Sequence, residues 1–399
     1  MENKGSNQSL VKLTNQNLIL QEIRANQQLS RSELAKRLHL SNPSVSKHVD
    51  DLLAKGLLVE TGSLVTDIGR RPIMLRFNGS HGCVAVIDLS SSNSRLCVAD
   101  LLGNKLEYAR VEGEKIITME EIDRIVVTLR DMINNLGDRC GALMGITIGA
   151  PGLIDPDSGR IIRSRHFEKN PEYPDLTAIF AEAFDVPVIV RNDINLAVVG
   201  EHIFGAGQEH SSILMLNINV ASAGLGAVID GRSYEGSHGY ACSIESILLP
   251  SADLSAPLKS LADLLKLDQL VAGVRDIVKD GRESMVREWL SDPDDLTFDD
   301  VSRAWGMSDM AVSVMVRKYA RGVALACRCL TALFDPELII VGGQASKLGV
   351  PFLNEINRLY DELPGVSADL TLAKLSDSAV IFGGIDLATR QAIESVVVQ

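Results

Sequence analysis

Apolar positions recur at helical spacing three times in the first part of the chain, then give way to short apolar runs. Leu13, Leu18, Ile19 and Ile23 predict one buried helical face over Val11 to Ala25. A second helix is predicted from Ser30 or Ser32 to Leu38, with Leu34, Ala35 and Leu38 as its apolar stripe. Ser30 and Glu33 have the spacing of a capping box. After the turn His39 to Asn42, a third helix runs from Pro43 to Ala54. Ser41 or Asn42 can cap it, and Val45, Val49, Leu52 and Leu53 face inward. Gly56 ends that helix, and a β hairpin with Gly62 near its turn follows. Gly69, Arg70, Arg71 and Pro72 then make an extended basic arm before a strand from Ile73 to Phe77.

Beyond this head the period changes. Strands are predicted over Val84 to Asp88, Arg95 to Ala99 and Lys105 to Val111, then a helix over Glu120 to Leu136 and a buried strand over Leu143 to Ile148. A helix over Asp175 to Phe184 and a strand over Val186 to Val190 deliver Arg191, Asn192 and Asp193 to a helix start. The βββαβα order recurs from Ser212, with strands over Ile213 to Asn217 and Leu225 to Ile229. An α/β body built from a duplicated unit follows from this order.

The head reads as helix, four-residue turn, helix, which sets the N-terminal end of the third helix into a DNA major groove. Ser44, Ser46, Lys47 and His48 are its expected contacts with bases and phosphates; a plain three-helix bundle with a solvated polar face is the bland alternative. Arg70 and Arg71, held extended between Gly69 and Pro72, suit a narrow A·T-rich minor groove, with a surface linker as the alternative.

The net charge of −13 argues against nucleic acid until it is divided along the chain. Residues 1–80 carry 11 Lys/Arg against 7 Asp/Glu, and the remainder carries 28 against 45. A basic head on an acidic body fits a DNA-binding domain joined to an effector or assembly domain. Hydrophobic residues at 46% and charged residues at 23% are ordinary for a globular chain. No apolar run has membrane-spanning length and Met1 to Ser9 lacks an apolar leader, so the expected location is cytoplasmic. Six scattered cysteines with no Cys-x-x-Cys pair are expected to be reduced, mostly buried thiols.

Four stretches of the body, in order, resemble landmarks of the ROK family (repressors, open reading frames, kinases). Gly145 to Asp155 resembles its strand and Pro-Gly loop, Val190 to Glu201 its sugar-binding and catalytic segment, Ala223 to Gly231 its second phosphate loop, and Leu338 to Gly343 its adenosine loop. The resemblance implies an N-terminal winged helix-turn-helix over residues 1–80, followed by the two-lobed actin-like ATPase fold of the sugar kinase, hsp70 and actin superfamily. The first lobe would cover 81–195, completed by a C-terminal helix at about 379–399; the second, dimerising lobe would cover 196–378. It also implies sequence-specific regulation of carbohydrate-utilisation genes, as a repressor, on a double-stranded operator, by a homodimer or higher homo-oligomer.

Set against the family pattern, the kinase chemistry is damaged. Asp-x-Gly-Gly-Thr of the kinases is here Asp88 to Ser92, without either glycine; Gly-Thr-Gly-x-Gly is here Ser222 to Gly226, without the first glycine and the threonine. Backbone N–H groups need such glycines to approach phosphates. Asp193 matches the catalytic base and stands as a vestige, since without a phosphate donor it transfers nothing. Asn192, Asp193, Pro151 and Gly152 remain as candidate effector-binding residues between the lobes, with an Asn-Asp helix cap as the structural alternative. The sugar-binding Glu and zinc-ligating His of Glu-x-Gly-His are here Ser243 and Ser246, and the zinc loop's cysteines are absent, so no metal and no cofactor is expected. Two competing readings are an active ROK sugar kinase with an appended DNA-binding domain, and a body serving only dimerisation.

Overall fold

The computed structural model describes residues 3–62, 73–90, 93–249 and 258–398. The chain divides into two compact units: residues 1–150, 159–190 and 384–399 form the first, and 151–158 with 191–383 the second.

The first unit begins with α1 (Asn3–Asn26), β1 (Leu29–Ser30), α2 (Arg31–Leu38), α3 (Asn42–Ala54), β2 (Leu58–Thr61) and β3 (Met74–Phe77). Ser30 caps α2 in a complete capping box: its side chain accepts from Glu33 N–H, and the Glu33 carboxylate accepts from Ser30 N–H at 2.8 Å. That bond holds the Glu33 carboxyl below the usual carboxylate range. Ser41 caps α3, with Pro43 in its first turn. Ile19, Ile23, Leu34, Val45, Val49 and Leu52 are fully buried and close the head's core. The inward face of α1 is Gln16, Ile19, Leu20 and Ile23; Leu18, expected on it, is 39% exposed. At 100° per residue Leu18 lies well off the direction shared by 16, 19, 20 and 23.

β2 pairs antiparallel with β3, Leu58 opposite Phe77 and Thr61 opposite Met74, and β1 adds to the far side of β3. The wing is therefore not a tight hairpin turning at Gly62. Its two strands are joined by residues 62–73, so the Gly-Arg-Arg-Pro run belongs to the wing's own connection rather than to a linker after it.

A five-stranded sheet follows in the order β10 (Val188–Asn192), β7 (Ala142–Ala150), β4 (Gly82–Asp88), β5 (Asn93–Asp100), β6 (Lys105–Glu112). The short strands β8 (Leu153–Ile154) and β9 (Ile161–Arg163) lie between β7 and β10 in the chain. β4 pairs antiparallel with β5 and parallel with β7, and all its residues are buried, as its unbroken apolar run requires. α4 (Met119–Leu136) packs on β5 and β6, and α5 (Leu176–Phe184) precedes β10. Because β4 and β7 are neighbours, Cys83 and Cys140 meet across 57 residues and are joined by a disulfide, a departure from the expected free thiols.

The second unit repeats the plan. Its sheet runs β13 (Arg232–Ser233), β12 (Ala223–Ile229), β11 (Ile213–Ile218), β16 (Leu338–Gly342), β17 (Asp369–Leu372). Counted within each sheet, both place third, second, first, fourth and fifth strands in that order, which is the structural form of the duplication. α6 (Asp193–Phe204) packs on β11 and β12. Between β13 and β16 come β14 (Leu248–Leu249), β15 (Lys259–Ser260), α7 (Leu261–Leu265), α8 (Leu267–Lys279), α9 (Val286–Trp289), α10 (Phe298–Gly306) and α11 (Met310–Phe334). α11 carries much of this unit's core through Val312, Val316, Ala320, Val323 and Cys327, and packs against α8 and α12 (Gly349–Asp361). α13 (Ala379–Val398) ends the chain. Among the described residues no helix is long and apolar enough to cross a membrane.

Candidate nucleic-acid interface and effector site

At the start of α3, Ser41 is used up as the cap, its hydroxyl accepting from Ser44 N–H at 3.4 Å. Asn42 and Lys47 are exposed, and Ser44 and Ser46 are half-buried. Arg31 fixes the relation of the two helices: its guanidinium reaches Asp50 on α3 at 2.7 Å and Glu60 on β2 at 3.0 Å. His48 does not join this face. It is 7% exposed, Asn15 Nδ2 of α1 lies 3.5 Å from its Nε2, and burial lowers its pKa. Its expected role as a DNA contact is corrected to one of packing α3 on α1, because position 48 falls on the turn shared with Val45, Val49 and Leu52. Asn42, a possible cap from the sequence, is instead the exposed first residue of the helix. Arg70 and Arg71 lie outside the described residues.

In the second unit, Asn192 and Asp193 sit at the junction of β10 and α6. Asn192 caps the helix, Oδ1 accepting from Ile194 N–H at 3.0 Å and Asn195 N–H at 3.1 Å, while Nδ2 donates to Gly152 O at 2.8 Å. The cap alternative and the clustering of Asn192 with the Pro151–Gly152 loop are thus both realised by one side chain. Asp193 is 8% exposed, and its Oδ1 accepts from Ile194 N–H at 3.0 Å. Arg191 Nε lies 3.7 Å from Glu235 Oε1, which brings the segment before Gly236 to the same place. Nearby, Cys242 takes a left-handed φ of 62°, and burial pushes its thiol up to about 11. Ser243 precedes a single 3-10 turn, Ile244–Ser246, and Ser246 is its last residue. Among the described residues no group of three His, Cys, Asp or Glu could hold a metal ion.

In the regions that resemble phosphate loops, protein groups bond to the described residues; Ser91 and Ser92 lie outside the described residues. In the first unit Asp88 is fully buried and Arg95 Nη2 lies 2.6 Å from its Oδ2; Ser90 N–H donates to Oδ1 at 2.9 Å. Burial drives the Asp88 pKa up and Arg95 opposes it. In the second unit Ala223, Gly224 and Gly226 are residues of β12, not of a loop. A Cβ on Gly224 would come 1.9 Å from Ile194 Cδ1, and one on Gly226 2.9 Å from Ile194 O, so these glycines serve the approach of α6 to the sheet. The turn proper is residues 219–222, closed by Asn219 N–H donating to Ser222 O at 2.8 Å. Gln344, just past β16, accepts from Val220 N–H at 2.9 Å through Oε1 and donates its own N–H to Asn219 Oδ1 at 2.9 Å. Leu267 and Asp268 N–H donate to the carbonyls of Asn219 and Val220. Neither Arg95 nor Gln344 was signalled as a partner by the sequence, since each pairing depends on which strands become neighbours.

Residues 84–252 and 279–391 match the ROK family. The chain belongs to the ROK family. Residues 14–59 match a winged helix-turn-helix DNA-binding family, so this ROK protein carries a DNA-binding head. The xylose repressor of Caldicellulosiruptor bescii is 25% identical over 392 residues, covering 95% of this chain and 96% of that one. The DNA-binding transcriptional dual regulator NagC of Escherichia coli K12 is 23% identical over 410 residues, covering 98% and 96%. A solved ROK family transcriptional regulator, a homolog of the E. coli MLC protein, superposes with a TM-score of 0.83 at 19% identity, covering 97% of this chain and 98% of that one. A ROK family glucokinase from Streptomyces griseus superposes with a TM-score of 0.65 at 22% identity, covering 78% of this chain and all of that one. The kinase likeness thus extends over less of the chain than the regulator likeness, 78% against 97%.

Proposed function

We propose that this ROK protein is a sequence-specific repressor of carbohydrate-utilisation genes, acting in the cytoplasm as a homodimer or higher homo-oligomer, and that its body binds a sugar-type effector without phosphorylating it. The observation that carries this reading is the Gln344 clamp on the second hairpin: a backbone N–H that a phosphate loop would offer to a nucleotide is spent on the protein itself. The buried Arg95–Asp88 pair supports the same conclusion, since Arg95 holds the charge that a metal–nucleotide complex would need. Relatives named for xylose and N-acetylglucosamine support a sugar as effector, with D-xylose as the first ligand to try. Asn192, Asp193, Pro151 and Gly152 are the residues proposed to receive it.

On the DNA, Asn42, Ser44, Ser46 and Lys47 of α3 are proposed to face the major groove. Asn42 has the paired donor and acceptor that read adenine, while the serines are short. Arg70 and Arg71, in the wing's connection, are proposed to read minor-groove width. The exposed Met310, Val314 and Leu325 lie on one face of α11 and support a self-association surface.

The test has two arms. Selection from a random duplex pool, followed by footprinting, should return a pseudo-palindrome protected over two half-sites. Protection of one unpaired half-site by a monomer would refute the dimeric reading. Sugar-dependent ADP release across pentoses and hexoses should be nil; turnover above about 1 s⁻¹, in the ordinary enzyme range, would establish a kinase.

A further inference from the structure

Cys83 is the second residue of β4 and Cys140 lies two residues before β7, and their disulfide spans 57 residues with the Cα atoms 5.7 Å apart. The backbone around them is packed at glycine distance. A Cβ on Gly141 would come 2.4 Å from His81 O and 2.9 Å from Gly82 Cα, and one on Gly82 would come 2.2 Å from Met144 Sδ. Disulfides are rare in the cytoplasm, and those that occur there are mostly transient, catalytic or redox-sensing. The cytoplasmic location rests on the reading proposed above; the chemistry of the pair does not.

The surroundings suit both oxidation states. Gly141 O lies 3.2 Å from Cys140 Sγ and 3.7 Å from Cys83 Sγ, so an acceptor is at hand for either thiol once the bond opens. Cys83 is fully buried, whereas Cys140 is 8% exposed. Cys140 follows the exposed 3-10 turn Gly137–Arg139, and local opening of that turn presents its sulfur to solvent. Burial pushes Cys97 and Cys242 up to about 11 and Cys327 up to about 12, so these thiols stay protonated at neutral pH and do not attack the disulfide. The segment that carries Cys83 also seats the turn between α3 and β2. A Cβ on Gly56 would come 2.8 Å from His81 Nδ1. Asn78 donates Nδ2 to Gly56 O at 2.9 Å and its N–H to Leu57 O at 2.9 Å.

We propose that Cys83–Cys140 is a reversible redox site, opened and closed by exchange with small-molecule thiols and disulfides, and that its state sets how firmly residues 78–83 hold the turn after α3. In opening, a thiolate RS⁻ attacks Cys140 Sγ: an RS–S bond forms, the bond to Cys83 breaks, and Cys83 leaves as a thiolate. A second RS⁻ attacks the outer sulfur of the mixed disulfide, Cys140 leaves as a thiolate, and RSSR is released. The two protein thiolates take up the protons that two RSH gave up. The pair is reduced by two electrons and the small thiols are oxidised by two; closing is the reverse, with RSSR as the oxidant.

The experiment equilibrates the full chain in glutathione buffers of graded thiol-to-disulfide ratio, quenches in acid, alkylates free thiols under denaturing conditions and maps them by mass spectrometry. Cys83 and Cys140 should pass together from blocked to alkylated within the series and return when the ratio is reversed, while the free Cys97, Cys242, Cys327 and Cys329 are alkylated throughout as internal standards. A pair still joined in the most reducing buffer, or still open in the most oxidising one, would overturn the proposal whatever the compartment. Hydrogen exchange then compares the two forms. Opening should speed exchange by at least about tenfold in peptides covering 79–84 and 140–144, the modest end of what one crosslink contributes, and by about two- to fivefold at 55–58. Unchanged exchange at 55–58 would overturn the hold on the turn. Cys140→Ser should exchange like the opened form in every buffer, and exchange that still followed the glutathione ratio in that variant would overturn the assignment to this pair.

Discussion

Asn192→Ala separates what the side chain does for the fold from what it is proposed to do for a ligand. The substitution removes two accepted bonds at the start of α6, from Ile194 N–H and Asn195 N–H, and one donated bond to Gly152 O. Loss of a side-chain cap costs about 1 kcal/mol. A part-buried carbonyl left without its partner costs about 1 kcal/mol more. A unit the size of the second one shifts its melting temperature by about 2–4 °C for each kcal/mol, so the expected loss is about 4–8 °C. Asn192→Asp tests the division. The carboxylate still accepts from both N–H groups, and its charge suits a helix N-terminus. It cannot donate to Gly152 O and would face that oxygen with a like charge. Asn192→Asp should therefore melt between the wild type and Asn192→Ala, and both variants should bind the selected operator normally well below their melting temperatures. Differential scanning calorimetry and operator titration check this. Asn192→Ala melting within about 1 °C of the wild type would refute the reasoning, as would Asn192→Asp melting below it.

Three further outcomes follow from the head. His48 is buried against α1, and desolvation is the largest influence on it, lowering its pKa from the ordinary 6.5. The unfolded chain then binds a proton more readily than the folded head, so stability is level above about pH 6.5 and is lost as the pH falls below it; in His48→Gln that acid-side slope should flatten, and an unchanged slope would clear His48 of the effect. Lys47→Ala should weaken binding to every duplex and lower the salt slope by about one, as one lost phosphate contact would. Arg70→Ala with Arg71→Ala should instead relax an A·T preference, and an equal loss on all sequences would make the arm a phosphate clamp.

The head was legible residue by residue because its signals are local. The Ser30–Glu33 box and the Ser41 cap involve residues three apart, and Val45, Val49 and Leu52 repeat at the helical period. Where local reading went astray, the error was one of direction or partner. Leu18 is as apolar as Leu20 but points outward, and His48 looks like a polar surface residue but sits on the inner arc of α3. The wing's extent could not be read, since it depends on β2 choosing β3 across residues 62–73.

The body shows the same division. The succession of its strands and helices along the chain, its glycine landmarks and the missing kinase residues were all present in the sequence, because runs, turns and missing hydroxyls are properties of short segments. What the residues at those positions bond to was decided only by the tertiary structure. Arg95 reaches Asp88 because β4 and β5 pair in register, and Gln344 reaches Val220 because β16 lies beside β11. Cys83 finds Cys140 because β4 lies beside β7, and Lys55 finds the carbonyls of Val396 and Val397 across 341 and 342 residues. A single sequence holds no signal for such pairs: each residue's own chemistry permits many partners, and only the packed chain selects one.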